Sequence, residues 1–232
     1  MKKAPDVRLD MAAYLHSTAC FCGIRDQSMT ELAAACRRKH LRKGETIFFQ
    51  SDPAEAAFIV YSGTVAIVLC SLDGRELVIN ELRAGEFFGE LSLIIGQPRS
   101  TSAVARKDTE LIVVPRQAFL AALDAEPWMA RHLLEVIAQR LYSSSERESA
   151  LAFLDAEGRL ARVLLQMDKQ AEKRGYVTAS QEELAQRAGL TRQTVAKALG
   201  RWRRSGWLIT GRGHIMLLQH QALEDLGREF ID

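Results

Sequence analysis

The chain has no long hydrophobic run. None of its apolar stretches approaches the roughly 18 residues that a membrane-spanning helix needs, so no membrane partner is expected. The first residues, Met1-Lys2-Lys3-Ala4-Pro5-Asp6, carry charge with no apolar segment behind it. That argues against a secretory signal and makes the cytoplasm the expected location. Cysteine is sparse: Cys20, Cys22, Cys36 and Cys70 stand without an export signal and are expected to stay reduced. The five histidines are scattered and show no metal-ligand spacing with one another or with glutamate. A phosphate-cradling Gly-x-x-x-x-Gly-Lys-Ser/Thr loop is missing, as is any Ser/His/Asp arrangement. The expectation is a protein that is not an enzyme and holds no metal. Internal repeats and low-complexity segments are missing as well.

What is present is an ordinary globular composition, 47% hydrophobic and 26% charged over 232 residues, enough for two modest domains. The net charge of +2 conceals an asymmetry. Residues 1–155 hold 18 Lys and Arg against 20 Asp and Glu, a net −2; residues 156–232 hold 13 against 9, a net +4. The basic surplus lies in the C-terminal third, where a polyanion would bind.

The texture changes along the chain. Residues 30–39 read as a short helix that starts near Ser28 or Thr30. From Glu45 to about Val114, short β-rich runs recur: 46–49, 57–61, 64–69, 76–79, 101–105 and 111–114. Turns separate them, with Asp73-Gly74 the sharpest hairpin signal, and the spacing suggests an antiparallel barrel or sandwich. From Trp128 to Phe153 the period becomes helical. Leu134, Ile137, Leu141, Ser144, Glu148 and Leu151 form a heptad-like seam with a polar middle. Such a seam fits a surface helix packed on its own domain, or a two-stranded dimer helix; the length and the position after a β domain favour the dimer helix. Ala156-Glu157-Gly158 reads as a hinge. An amphipathic helix follows from Arg159 to about Arg174.

Two segments carry chemistry. In Phe88-Gly89-Glu90-Leu91-Ser92-Leu93-Ile94-Ile95-Gly96-Gln97-Pro98-Arg99-Ser100, a carboxylate and a guanidinium stand nine residues apart in an otherwise apolar, Gly-punctuated stretch. Capture of a cyclic nucleotide needs these groups. An arginine grips the cyclic phosphate, and a carboxylate accepts a hydrogen bond from the ribose 2′-hydroxyl. Gly89 and the Ser100 region let backbone N–H groups approach a phosphate. The second segment, Ser180 to Leu199, is a helix-turn-helix pattern. Ser180 with Glu183 is a capping box, Gly189 supplies the turn, and Thr191 caps the second helix. Leu190, Val195 and Leu199 bury that helix, while Arg192, Gln193, Ala196 and Lys197 face outward toward base edges in a major groove. Trp207 to Thr210 and His214 to Leu218 then form a wing with Arg212 at its tip. Helix-turn-helix shapes also occur as plain packing units, but cap, turn, outer face and wing together favour DNA.

With both segments in hand, the chain from about Leu15 to Leu218 resembles the cyclic-AMP receptor protein/FNR family of bacterial transcription factors. The resemblance implies an α+β chain in three parts. These are a cyclic-nucleotide-binding, jelly-roll-like β-roll (1–127), a dimerisation helix with its hinge (128–154), and a winged helix-turn-helix (155–232). It implies cyclic AMP as allosteric ligand, a homodimer, a double-stranded pseudo-palindromic operator, and RNA polymerase as partner. Glu90 matches the ribose-binding carboxylate, Arg99 the phosphate-binding arginine and Ser100 the adjacent phosphate contact; Gly89 and Leu91 belong to the same cassette. Arg140 matches a long-helix arginine near the ligand, and Ser144 and Ser145 match a hydroxyl pair that contacts adenine, one of them across the dimer. Asn80 stands beside the nucleotide in place of a smaller polar residue. Ala152 to Asp155 match the hinge. DNA contacts are implied at Thr191, Arg192, Gln193, Thr194, Lys197 and Arg212.

The cassette is one residue shorter before Arg99 than in the enteric receptor, and Ser51-Asp52 replaces a Gly-Asp turn. Gln193 and Lys197 stand where that receptor has Glu and Arg, so its half-site is not assumed. Other effectors fit the same Arg and Glu, namely cyclic GMP or cyclic di-GMP. A ligand-independent or redox-sensing regulator acting through Cys20, Cys22 and Cys36 is the remaining alternative, although the Cys20-Phe21-Cys22 spacing is unlike bacterial iron–sulfur motifs.

Overall fold

The computed structural model describes residues 10–71, 76–171 and 176–228. It divides into two compact units, one of 1–69 with 79–139 and one of 70–78 with 140–232. The elements of the N-terminal part are α1 (Met11–Ser17), α2 (Asp26–Ala35), β1 (Arg37–Leu41), β2 (Thr46–Phe48), β3 (Ala56–Ser62) and β4 (Thr64–Cys70). They continue with β5 (Glu76–Arg83), β6 (Phe87–Phe88), α3 (Leu91–Ile95), β7 (Ser102–Ala105), β8 (Thr109–Pro115), α4 (Arg116–Ala125) and the long helix α5 (Pro127–Phe153). Two four-stranded antiparallel sheets, ordered β1-β8-β3-β6 and β2-β7-β4-β5, form the β-roll.

The central strands β3 and β8 read as nearly unbroken apolar runs because they are buried on both faces. Phe58, Val60, Leu111, Val113 and Phe88 point between the sheets and meet Ile47, Phe48, Val65, Ala103 and Ala105 of the second sheet. Their neighbours Ala57, Ile59, Ile112, Val114 and Phe87 point the other way, onto Leu15, Leu32, Phe119 and Met129 of the helices and Phe21 of the turn between α1 and α2. The register sets this division: Phe58 lies opposite Val113 and Ile59 opposite Ile112. Burying Phe119 or a core leucine there is worth roughly 2–3 kcal/mol each.

The expected helix at 30–39 instead begins at Asp26 and ends at Ala35, so residues 37–39 pass to β1. Neither Ser28 nor Thr30 caps it. The Ser28 hydroxyl donates to Glu126 Oε1 at 2.5 Å, and the Thr30 hydroxyl donates to Asp26 O. Arg25 also reaches Glu126, at 3.0 Å, so one carboxylate pins this helix to the end of α4. The Asp73-Gly74 turn lies outside the described residues.

In the second unit α6 (Ala156–Gln170), β9 (Val177–Thr178), α7 (Gln181–Ala188) and α8 (Arg192–Arg204) are followed by β10 (Leu208–Thr210), β11 (His214–Leu217) and α9 (His220–Gly227). The antiparallel sheet β10-β11-β9 is the wing. Leu160, Leu164, Leu184, Val195, Leu199, Trp202, Ile215 and Leu223 make the core of this unit.

The expected hinge at 156–158 is corrected. Asp155 caps α6 by accepting from Gly158 N at 2.8 Å, so these residues form its first turn. Only Leu154 and Asp155 separate α5 from α6. Gly158 serves packing: a Cβ there would stand 2.6 Å from Leu226 O of α9. Gly158→Ala is therefore expected to force α9 away and cost about 1–3 kcal/mol, read as a fall in the urea midpoint at unchanged slope.

Candidate functional site

The cassette starts where β6 ends. Gly89 has φ +81, which no side-chain-bearing residue adopts cheaply, and turns the chain into Glu90 and α3. Gly96, at φ +67, closes α3 by donating its N–H to Ser92 O. The chain then returns through Pro98 to Arg99, whose N–H donates to Asp52 O at 2.9 Å while its carbonyl accepts from Ser51 N at 2.8 Å. Ser51 pays for this docking with φ 71, a left-handed conformation in a residue that carries a Cβ.

Arg99 points inward and is only 4% exposed. Its Nη1 donates to Gly89 O at 2.6 Å and its Nη2 to Ala56 O at 2.5 Å. The guanidinium lies 4.2 Å over the Phe48 ring, which packs in a tilted arrangement against Phe58 and Phe88. Burial lowers the Arg99 pKa, and the carboxylates of Glu90 and Asp52 oppose that effect. The Nε–H is buried and makes no hydrogen bond. Glu90 is fully buried and sits at the start of α3 without capping it by its side chain. Leu91 is 41% exposed, Ser100 is exposed and Asn80 is half-buried on β5. The structure thus brings Arg99 onto Gly89 and within electrostatic reach of Glu90, while Leu91 and Ser100 are the exposed chain neighbours of Glu90 and Arg99.

Sequence reasoning did not find the partners of Arg99. Phe48 and Phe58 read as plain core residues, and a backbone carbonyl such as that of Ala56 has no sequence signature. Helix α3 was read only as an apolar stretch between glycines. Arg140, Ser144 and Ser145 lie on the part of α5 that belongs to the second unit. Ser144 is half-buried, and the exposed Ser145 donates its hydroxyl to Leu141 O at 3.2 Å.

In the second unit the capping box forms in both directions. Glu183 N donates to Ser180 Oγ, and Ser180 N donates to Glu183 Oε2. Gly189 is left-handed at φ +64, and Thr191 caps α8 by accepting from Thr194 N at 3.1 Å. Thr191 and Thr194 are further tied through their hydroxyls at 2.9 Å, so both act in the cap. Val195, Ala198, Leu199 and Trp202 are buried, which turns Arg192, Gln193 and Lys197 outward. A cleft of about 510 Å³ separates the start of α7 from the wing and is lined by Ser180, Arg192, Thr210 and His214. Gly213, at φ +75, shapes the wing tip beside the exposed Arg212. Trp207 is not a wing strand residue; it stacks on Trp202 at 6.4 Å.

The cysteines are free thiols: Cys20 buried, Cys36 half-buried, Cys22 and Cys70 exposed. Burial pushes the Cys36 thiol up to about 11. Among the described residues, no three His, Cys, Asp or Glu side chains cluster to hold a metal ion.

Residues 38–126 match the family model of the cyclic nucleotide-binding domain, and residues 158–226 match that of the Crp-like helix-turn-helix domain. The chain is 32% identical over 206 residues to the cyclic AMP receptor protein of Thermus thermophilus, covering 89% of this chain and 95% of that protein. The solved structure of FixK2 from Bradyrhizobium japonicum aligns with TM-score 0.72 at 28% identity, over 83% of this chain and 98% of that one. The regulator CLP of Xanthomonas campestris, described as c-di-GMP responsive, aligns with TM-score 0.75 at 26% identity, over 83% and 99%. The chain belongs to the cyclic-AMP receptor protein/FNR family: it is a DNA-binding transcription regulator with a cyclic nucleotide-binding domain.

The cysteine environments lead to an ordered reactivity. At about pH 8, Cys22 and Cys70 are expected to react with a disulfide reagent about tenfold or more faster than Cys36, whose thiolate is suppressed by burial. The lag should shrink as pH rises toward the raised Cys36 pKa. Equal rates at Cys36 and Cys22, read by peptide mass spectrometry, would contradict this.

Proposed function

We propose that this regulator is a homodimer that responds to cyclic AMP and binds a pseudo-palindromic operator, in the cytoplasm, with RNA polymerase as its protein partner and without enzymatic activity. The observation that carries the ligand assignment is Arg99. A guanidinium grips phosphate through a fork of parallel N–H donors, and here an Nε–H is buried in the cradle without an acceptor. A phosphate oxygen would satisfy it, and an anion is a stronger acceptor for Arg99 than the neutral carbonyls it now holds. Glu90 would accept from the ribose 2′-hydroxyl, while the N–H groups of Gly89 to Leu91 and Ser100 would face the phosphate. Asn80, Arg140, Ser144 and Ser145 are assigned to the base. Cyclic AMP is preferred because the similar Thermus protein is a cyclic AMP receptor protein and because of the hydroxyl pair at 144–145. Cyclic di-GMP, named for the Xanthomonas neighbour, is the second reading.

The dimer rests on α5. Leu134 and Leu141 stand one heptad apart, each 67% exposed, and Leu151 is 46% exposed. A second copy of the same helix covers such a seam. Contact of the effector with residues 140–145 would bias the seam, and through Leu154 and Asp155 the placing of α8, by shifting a pre-existing equilibrium. Two recognition helices would then stand about 34 Å apart, on successive turns of one DNA face.

Isothermal titration with cyclic AMP, cyclic GMP and cyclic di-GMP tests the ligand. Binding of cyclic AMP is expected, weakened at least about tenfold in Arg99→Ala, since a charged hydrogen bond contributes about 1.5–3 kcal/mol. Heat from cyclic di-GMP alone would replace the first reading with the second, and unchanged affinity in Arg99→Ala would refute the cassette assignment. Sedimentation velocity tests the dimer. The wild-type chain is expected to sediment as a dimer and Leu141→Glu as a folded monomer; a wild-type monomer at micromolar concentration would rule the seam out.

A further inference from the structure

The recognition helix α8 ends in three arginines, Arg201, Arg203 and Arg204, and the structure treats them differently. The Arg201 guanidinium is paired with the carboxylate of Glu157 on α6. Arg203 and Arg204 are exposed, and neither is engaged in an ion pair among the described residues. Both lie on the groove-facing side. Arg203 stands about three turns after Arg192 on the same face, and Arg204 about two turns after Lys197.

Helix geometry says where these side chains go. Thirteen residues make α8 roughly 20 Å long, whereas the major groove is about 12 Å wide. A helix whose first residues face base edges therefore leaves the groove before it ends, and its last turn runs beside the phosphates of the groove wall.

Gly200 is the second observation. Glycine weakens a helix interior, and this one stands in the fourth position before Arg204. Side chains of a helix lean toward its N-terminus, so Arg204 reaches back over the surface that Gly200 leaves bare. Its Nη1 lies 3.8 Å from the point a Gly200 Cβ would occupy, an ordinary van der Waals separation, so the side chain folds back along the exposed face of the helix.

We propose that Arg203 and Arg204 are backbone-gripping residues that hold DNA phosphates beyond the base-reading segment. The competing role is purely structural: cations at a helix C-terminus favour its dipole. The two roles differ in what salt does. A phosphate contact releases counterions, so each one lost lowers the slope of log affinity against log salt by about 0.9. Loss of a dipole contact lowers the melting temperature and leaves that slope alone.

The experiment uses the full-length chain with cyclic AMP and a labelled duplex of about 30 base pairs, recovered from a random pool by the wild-type protein. Fluorescence anisotropy is read over a salt series for wild type, Arg203→Ala, Arg204→Ala and Arg204→Lys. Each alanine variant is expected to lower the slope by about one, with the same fractional loss on duplexes of altered sequence. Arg204→Lys is expected to keep the slope, because the charge remains. An unchanged slope with a lower melting temperature would overturn the proposal in favour of the dipole. A loss that varies with base identity would overturn it in favour of base contact. Wild-type binding that ignores salt would overturn groove docking itself, and this assignment with it.

Discussion

The N-terminal site depends on one buried cation. Arg99 joins three pieces of chain that are distant in sequence: Ala56 of β3 and Gly89 after β6, through their carbonyls, and Phe48 of β2, through its ring. A guanidinium out of water is tolerated only when its donors and charge are met. Here Gly89 provides an acceptor by taking a backbone angle that points its carbonyl at the arginine, and Ser51 is held left-handed so that its N–H can bind the Arg99 carbonyl. The site is thus pre-assembled around a charge whose hydrogen-bond acceptors are neutral carbonyls, with the Glu90 and Asp52 carboxylates offsetting its burial. On the proposed reading, an anionic effector exchanges weak acceptors for a strong one, and that exchange supplies differential binding energy to move an equilibrium.

The second unit works by separating faces. A cap at Ser180, a left-handed glycine at 189 and a cap at Thr191 set the angle at which α8 leaves α7. Trp202 and Leu199 then fix its rotation by burial, so that polar residues have only the outward side left to them. The Arg201–Glu157 pair adds a tether from the same helix to α6. Cationic side chains not used inside the unit remain for the polyanion, and this accounts for the basic surplus of the C-terminal third.

Much of this was legible in the residues. The caps, the turn glycine and the two long helices follow from local chemistry, since each is decided within about four residues of chain. The errors were of two kinds. Strands at 56–62 and 109–115 were recognisable as strands, but their division into an inter-sheet face and a helix-packed face depends on register. Gly158 looked like a hinge because glycine interrupts helices; its actual reason is the carbonyl of Leu226, some 70 residues later in the chain. The short helix α1, with Asp10 as its cap, had a weak local signal and went unread, and the start of the edge strand β1 read as the end of a helix.

The sequence alone determined the family, the two kinds of domain, the cassette with Glu90 and Arg99, and the outward residues of the recognition helix. These rest on residue type and spacing, which a helix period or a turn converts directly into position. Only the tertiary structure decided that Arg99 faces inward, that Phe48 and Ala56 complete its cradle, and that Arg201 is neutralised while Arg203 and Arg204 are not. Those outcomes depend on groups brought together by folding. A backbone carbonyl or a partner carboxylate dozens of residues away leaves no mark in the local sequence.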